Sequence, residues 1–407
     1  MKLLIIQKGS TVFKILKRIL ILYRYLKALL FRCDYNYDCL PKKKIDSIID
    51  IYEKGYHCYF GYYDKSPIND SGDKILYLKT SVKETNQAFI CVYDLRAESK
   101  RVLATTNIWN TQQGCMLQWI SNNSISYNIY NEQNQEYQTV QLNVDTMDTI
   151  FFPRAAYSYS NDFSSFLSLN FYRLELYAAG YGYKFNESLS LMDDGIWEVS
   201  AQKGVELLVN LERIVSFRPH YDENLKHYVN HLSYCPDSRR IIFIHRWLDK
   251  ANYFKSRLLI YNKDCDELKV LLDNGHVSHF CWKSEKELLI YATNNDGYSG
   301  YFILNIDDGE SCCISSLPKE DGHPSFSYDY RYVVTDTYPN NLRNQFLFVY
   351  DMPERRLYLI DRLYSPMKYF DEQRCDLHPR WGKRNNTIFV DTTCKGERML
   401  RMYKVNL

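Results

Sequence analysis

The chain has 407 residues, 45% of them hydrophobic and 25% charged, with a formal net charge of +2. That length and apolar content support a large folded core, and so small a charge offers no basic field for nucleic acid. Its twelve cysteines stand at irregular spacings without a C-x-x-C pair, which argues against a zinc ribbon or thioredoxin-type centre and for reduced thiols in a cytoplasmic protein.

Residues 1–33 form the first segment. It contains Lys2, Lys8, Lys14, Lys17, Arg18, Arg24, Lys27 and Arg32 and no acidic residue. On a helical wheel Lys14, Lys17, Arg18, Arg24 and Lys27 share one half, and Ile15, Leu16, Ile19, Leu22, Tyr23, Leu26, Leu29 and Leu30 the other. Charge interrupts the segment too often for a spanning helix, and no small-residue cleavage site follows an apolar run. The pattern predicts a basic amphipathic helix in the plane of an anionic membrane surface. The alternative is a helix packed on the domain with its basic face outward.

Residues 55–407 are rich in aromatic strands. The 37 tyrosines favour β structure, and flat rings also stack on sugars. The run Gly55 to Asp64, which includes Tyr62 and Tyr63, either begins a sheet or stacks on sugar rings. A repeat then emerges. His231-Leu-Ser-Tyr234, His279-Phe-Cys-Trp282, His323-Pro-Ser-Phe326 and His378-Pro-Arg-Trp381 each precede a polar turn and an apolar strand. Weaker copies begin near Tyr62, Met116 and Ala156, giving seven starts at intervals of about 40–55 residues, the size of a four-stranded propeller blade. One long interval, 156 to 231, leaves room for an insertion. Within it Asp194–Val199 and Val205–Val209 read as the hairpin that completes the third blade. The fold class expected is all-β, a seven-bladed β-propeller preceded by an amphipathic helix.

These starts resemble the TolB-type propeller repeats. The four histidines, with Asp376-Leu-His-Pro-Arg-Trp381, are more specifically similar to the oligogalacturonate lyase group. The resemblance covers roughly residues 55–407 and is strongest from 228 onward. It implies a divalent metal, manganese, held by a histidine-rich set, and β-elimination on an acidic sugar chain with an arginine as base.

Inner strands of a propeller line its channel, so His231, His279, His323 and His378 are expected to converge as metal ligands. Arg218 is the catalytic candidate because it stands near the place of the family's arginine. His220, His227 or a tyrosine are alternatives, since arginine is a poor base. Arg246 and Arg380 are candidate clamps for a substrate carboxylate, Tyr62 and Tyr63 candidate sugar-binding residues, and Asp376 an orienting partner for a histidine. A purely structural role for the histidines, bonding neighbouring blades, stands beside this reading. No phosphate-binding loop, Gly-x-Ser-x-Gly elbow or His-Glu-x-x-His is present. Two functions follow: a metal-dependent lyase-like enzyme on acidic glycan, cytoplasmic and peripheral on an inner membrane, or a non-catalytic propeller binding glycan or protein in surface-polysaccharide assembly.

Overall fold

Apolar runs such as Ile241–Ile244, Leu258–Tyr261 and Phe346–Tyr350 are buried on both faces, as a strand packed between stacked sheets must be. The computed structural model, which describes residues 11–31, 35–83, 86–217, 226–248, 254–382 and 386–407, arranges them as seven four-stranded antiparallel sheets. These are the blades of a seven-bladed propeller. In blades 1–6 the strands follow chain order from the channel outward, and blade 4 shows the pattern: Lys226–Tyr234, Arg240–Leu248, Phe254–Asn262 and Glu267–Leu272.

The aromatic that ends the inner strand has a structural purpose. The indole N–H of Trp282 donates to Ser233 Oγ of the preceding blade (3.0 Å), that of Trp381 to the Ser325 carbonyl (2.9 Å), and that of Trp119 to the Pro67 carbonyl (2.8 Å). The repeated motif therefore places a histidine toward the channel and a lock toward the neighbouring blade.

Blade 7 departs from chain order. Its outermost strand is Lys44–Ile51, which pairs antiparallel with Met399–Asn406. An Arg401–Asp50 fork, at 2.6 and 2.9 Å, fastens the two. The propeller thus begins at residue 44, not at 55, and its ring is closed by joining the two ends of the domain. In blade 3 the expected hairpin is present as Gly195–Ser200 and Gly204–Asn210. The insertion before it carries the short helix Phe171–Tyr177, capped by the Asn170 side chain on the Arg173 N–H.

In blade 1 the position equivalent to the other starts is Lys65, three residues past the expected start near Tyr62. The inner strand of this blade opens with Tyr56–Tyr59, and the chain then leaves the sheet before rejoining at the Ile68–Ile75 bridge. The departure is held by Asp391 of blade 7, whose carboxylate accepts the N–H groups of Phe60 (3.0 Å) and Gly61 (2.9 Å). Gly61 lies at φ +126°, and a Cβ there would stand 2.8 Å from the Gln113 carbonyl oxygen. Only glycine fits.

The N-terminal helix, α1 (Thr11–Phe31), rests on the propeller through buried Ala28 and half-buried Ile21 and Tyr25. Lys17 bonds Asp371, and the Arg18 guanidinium stacks on Phe370 at 4.8 Å. Leu30 (78% exposed), Tyr23 and Ile19 point to solvent. The helix is packed on the domain, with Lys17 and Arg18 toward the propeller and Arg24 and Lys27 exposed. No described helix is long and apolar enough to cross a membrane. The described cysteines are all free.

Candidate functional site

In every blade the first residue of the turn after the inner strand donates its N–H to the next strand: Asn69, Ile120, Ser160, Cys235, Lys283, Ser327 and Gly382. Counting back to one ring of equivalent positions gives Lys65, Met116, Ala156, His231, His279, His323 and His378. Four successive blades therefore deliver imidazoles to the same height of the channel. Ring centroids of His231 and His279 are 5.2 Å apart, those of His279 and His323 4.1 Å, and those of His323 and His378 4.4 Å. His231 and His378 adopt positive φ of 52° and 44°. In blade 4 the strand register shifts at His231, as a bulge does when it redirects a side chain.

Each imidazole is oriented differently. The Asp336 carboxylate accepts the His323 backbone N–H (2.7 Å) and lies 2.9 Å from His323 Nδ1. This carboxylate fixes the proton on Nδ1 and turns Nε2 into the channel. His279 Nδ1 lies 3.1 Å from Asp321. His231 is held by the Tyr62 hydroxyl, 3.2 Å from Nε2. Its backbone N–H donates to the Tyr157 hydroxyl, which also accepts from Gln113 Nε2.

Burial decides the charges. It pushes the pKa values of His231 and His378 well below the usual imidazole range, and neighbouring cationic histidine would push them further. Burial also lowers His279. His323 goes the other way: burial opposes its charge, but Asp336 outweighs burial and raises it. Asp376 is buried, which alone would protonate it, yet the fork from Arg374 at 2.7 and 2.8 Å keeps it ionised.

The ligand atoms of His323, Asp376 and His378 lie within 4.8 Å of one another. Nε2 of His323 and Nε2 of His378 are buried without a hydrogen-bond partner. Two buried imidazole Nε2 atoms without a hydrogen-bond partner, beside a carboxylate, fit a divalent cation such as Mn, Fe or Zn, and they are costly to bury otherwise. Of the four expected ligands, two join this set. His231 and His279 adjoin it but fall outside its ligand cluster. Asp376, expected to orient a histidine, instead offers its own oxygen to the cluster.

Other expected site residues are placed differently. Arg380 is 1% exposed; its guanidinium donates to the Gly61 and His378 carbonyls (3.0 and 2.8 Å) and pairs with Asp391 at 3.0 Å. It is internal framework and no clamp. Tyr62 and Tyr63 are each 3% exposed, too deep to act as a stacking platform. The Tyr63 hydroxyl donates to the Phe280 carbonyl and accepts its N–H, while Tyr62 packs edge-on against His323 and His378. Arg246 is half-buried, its Nε donating to Asn230 Oδ1 (3.0 Å), and its charge helps depress His231 and His279. Arg218 and His220 lie outside the described residues.

The channel has two ends. At the turn end a cleft of about 680 Å³ is lined by Tyr157, Phe280, Phe326 and Tyr330 and meets the histidine ring only at His231, behind Tyr62 and Tyr63. At the other end Arg246, Asp321, Tyr338, Tyr181 and Arg374 are each half-buried. Several touch the set directly: Asp321 on His279, Arg374 on Asp376, and Tyr338 5.6 Å from the His323 ring. Two guanidinium groups and two phenols, each partly exposed, thus gather beside the cluster at this end. Asp336 and Asp321 escape sequence reasoning because their distance from the histidines in sequence differs from blade to blade. Tyr338 and Tyr181 have no motif at all.

No protein-family model and no curated protein matches the sequence. Solved structures do match. An oligogalacturonate lyase in complex with manganese is similar at 13% identity and TM-score 0.65, over 90% of this chain and 99% of that one. An oligogalacturonate lyase from Vibrio parahaemolyticus is similar at 12% identity and TM-score 0.64, over 90% and 96%. TolB from Acinetobacter baumannii aligns at 13% identity and TM-score 0.42 over 72% of this chain and 67% of its own. At such identities the two lyase structures establish the propeller fold and nothing finer.

Proposed function

We propose that this chain, a seven-bladed propeller of the fold seen in oligogalacturonate lyases, is a metal-dependent carbohydrate-active enzyme that cleaves an acidic glycan by β-elimination. The observation that carries the reading is the pair of buried, unpartnered Nε2 atoms of His323 and His378 beside the ionised Asp376. These three would hold the cation, for which manganese is the first choice given the manganese bound by the similar lyase. Bound there, a divalent ion supplies Lewis-acid polarisation of a uronate carboxylate, which acidifies the proton on the adjacent ring carbon.

The protein's own groups would do the rest. Arg246 at the rim receives the negative charge of the sugar chain. Burial keeps His279 neutral and Asp321 fixes its ring, so its imidazole is able to accept the proton. The electron pair freed from the ring carbon forms the new double bond and breaks the bond to the 4-linked oxygen, which takes a proton from water as the leaving sugar departs past Tyr181 and Tyr338. Burial keeps Tyr62 a neutral phenol, well above the usual tyrosine range, which suits it to hold His231 in place.

The alternative is a non-catalytic propeller that binds glycan or protein, with the histidine ring as packing. Elemental analysis of the purified chain separates the two. We expect one equivalent of Mn, Fe or Zn, lost in the His323→Ala/His378→Ala variant, and release of unsaturated uronate, read by its ultraviolet absorbance, from acidic oligosaccharides. A metal-free protein that also fails to take up added Mn²⁺ would sink the enzyme reading.

A further inference from the structure

The outward face of α1 inverts the usual logic of a surface helix. A helix on a soluble domain turns its apolar stripe inward and its charges to water. Here Ile21, Tyr25 and Ala28 contact the propeller, while Ile15, Ile19, Tyr23, Leu26 and Leu30, on the opposite side, are about half exposed or more. Lys17 and Arg18 lie on the side that faces the propeller, and Arg24 and Lys27 flank the apolar stripe; the helix has no acidic residue. From the outside inward the order is apolar stripe, cations, protein. That is the order of an acyl layer, an anionic headgroup layer and water.

The position of the helix matters as much as its face. Lys17 and Arg18 are fastened to Asp371 and Phe370. The segment they hold continues into Arg374 and Asp376 of the site. That segment is itself pinned by its neighbours: Gln112 Nε2 donates to the Arg374 carbonyl (2.9 Å) and Arg398 Nη2 to the Gln373 carbonyl (2.6 Å). A bilayer touching α1 therefore lies on the same side as the half-buried rim of Arg246, Tyr181, Tyr338 and Arg374, and opposite the blade turns.

We infer that α1 docks the protein on an anionic membrane surface with the partly exposed end of the channel, which carries Arg246, Tyr181, Tyr338 and Arg374, turned toward the lipid, so that its substrate is an acidic glycan still tethered to the membrane. The substrate clause rests on the enzyme reading above; the docking clause does not. A soluble oligosaccharide needs no such orientation, whereas a tethered one gains a high effective concentration at a mouth held beside its anchor.

The test uses the full chain and vesicles of phosphatidylcholine with about 30% phosphatidylglycerol. Sedimentation should show binding that falls about tenfold or more on pure phosphatidylcholine and in the Ile19→Asp/Leu26→Asp variant, with its melting temperature unchanged. For orientation, a donor dye is placed at Glu372→Cys or Ser284→Cys, in a chain whose Cys33, Cys39, Cys265, Cys312 and Cys313 are serine. Energy transfer to an acceptor lipid should be stronger from position 372, near the mouth, than from 284 in a blade turn. Equal vesicle binding by the double aspartate variant overturns the proposal, as does stronger transfer from 284. A dimer that covers the stripe and ignores vesicles also overturns it. With docking in place, lipid-coupled acidic oligosaccharide should be cleaved about tenfold faster than the free form. Equal rates remove the tethered substrate and leave the metal site standing. Absence of any cleavage removes the enzyme reading and leaves the docking result intact.

Discussion

Asp391→Ala is the perturbation that reports most directly on how the site is held. The carboxylate is 4% exposed, accepts two backbone N–H groups at 3.0 and 2.9 Å, and stands 3.0 Å from the Arg380 guanidinium. Removing it leaves two interior amides without acceptors, at roughly 1–3 kcal/mol each, and one buried cation without its counter-ion. Arg380 keeps its two carbonyl acceptors, which limits the damage. Loss of one partner of a buried pair costs about 3–5 kcal/mol, and we place Asp391→Ala in that range. At roughly 2 °C or less per kcal/mol for a chain this long, the melting temperature should drop by about 5–10 °C. Calorimetry and urea denaturation measure it. The Asp391→Ala/Arg380→Met double variant should recover part of the loss, because it no longer strands a charge. The reasoning fails if Asp391→Ala costs under about 1 kcal/mol, or if the second substitution makes matters worse by the full single-mutant amount.

Three further outcomes are expected. A chain beginning at residue 43 should keep the propeller's cooperative unfolding, while one beginning at residue 52 should lose it, because the outer strand of blade 7 goes with the missing segment; circular dichroism melts compare them. Gly61→Ala should cost about 1–3 kcal/mol, since its φ is foreign to alanine and the new Cβ meets the Gln113 carbonyl; it should also weaken metal retention by shifting Tyr62. Burial, with help from the Arg398 charge, lowers the pKa of His57 from 6.5 to about 4. The unfolded chain then binds this proton more readily than the folded one, so stability is full above pH 6.5 and declines as pH falls toward about 4. Discounted for its partial exposure, the loss is roughly 1–2 kcal/mol. His57→Phe should flatten this part of the stability–pH curve measured by urea titration; an unchanged slope contradicts the assignment.

Much of the fold is legible in the sequence because each blade repeats a local pattern. His279, Trp282 and the strand Glu287–Thr293 lie within a few residues of one another, and the same holds for His378, Trp381 and Thr387–Thr392. The illegible part depends on ring closure. Lys44–Ile51 is rich in isoleucine like many strands, and nothing nearby reveals that its partner is Met399–Asn406. Tyr62 reads as the start of blade 1, three residues short of the equivalent Lys65, because Asp391, from another blade, pulls Phe60 and Gly61 out of the sheet. Arg380 reads as a clamp because an arginine beside a histidine suits an anionic ligand. Its counter-ion lies one strand away in its own blade. The histidine ring shows in the sequence; the carboxylates that orient it do not, since Asp336 sits on a second strand and Asp321 on a connection.

The closing strand sets the order in which this molecule can be assembled. Lys44–Ile51 leaves the ribosome before any other strand of the propeller and pairs with the last, across about 350 residues of intervening chain. Such a separation costs loop entropy before it returns any contact, so the step is slow. Throughout synthesis the first strand has open hydrogen-bonding edges, and the six earlier blades form an arc with a gap where the seventh will stand. The nascent chain is most prone to association during that interval. A substitution in Met399–Asn406 should accordingly reduce yield more than it reduces the stability of the molecules that do close.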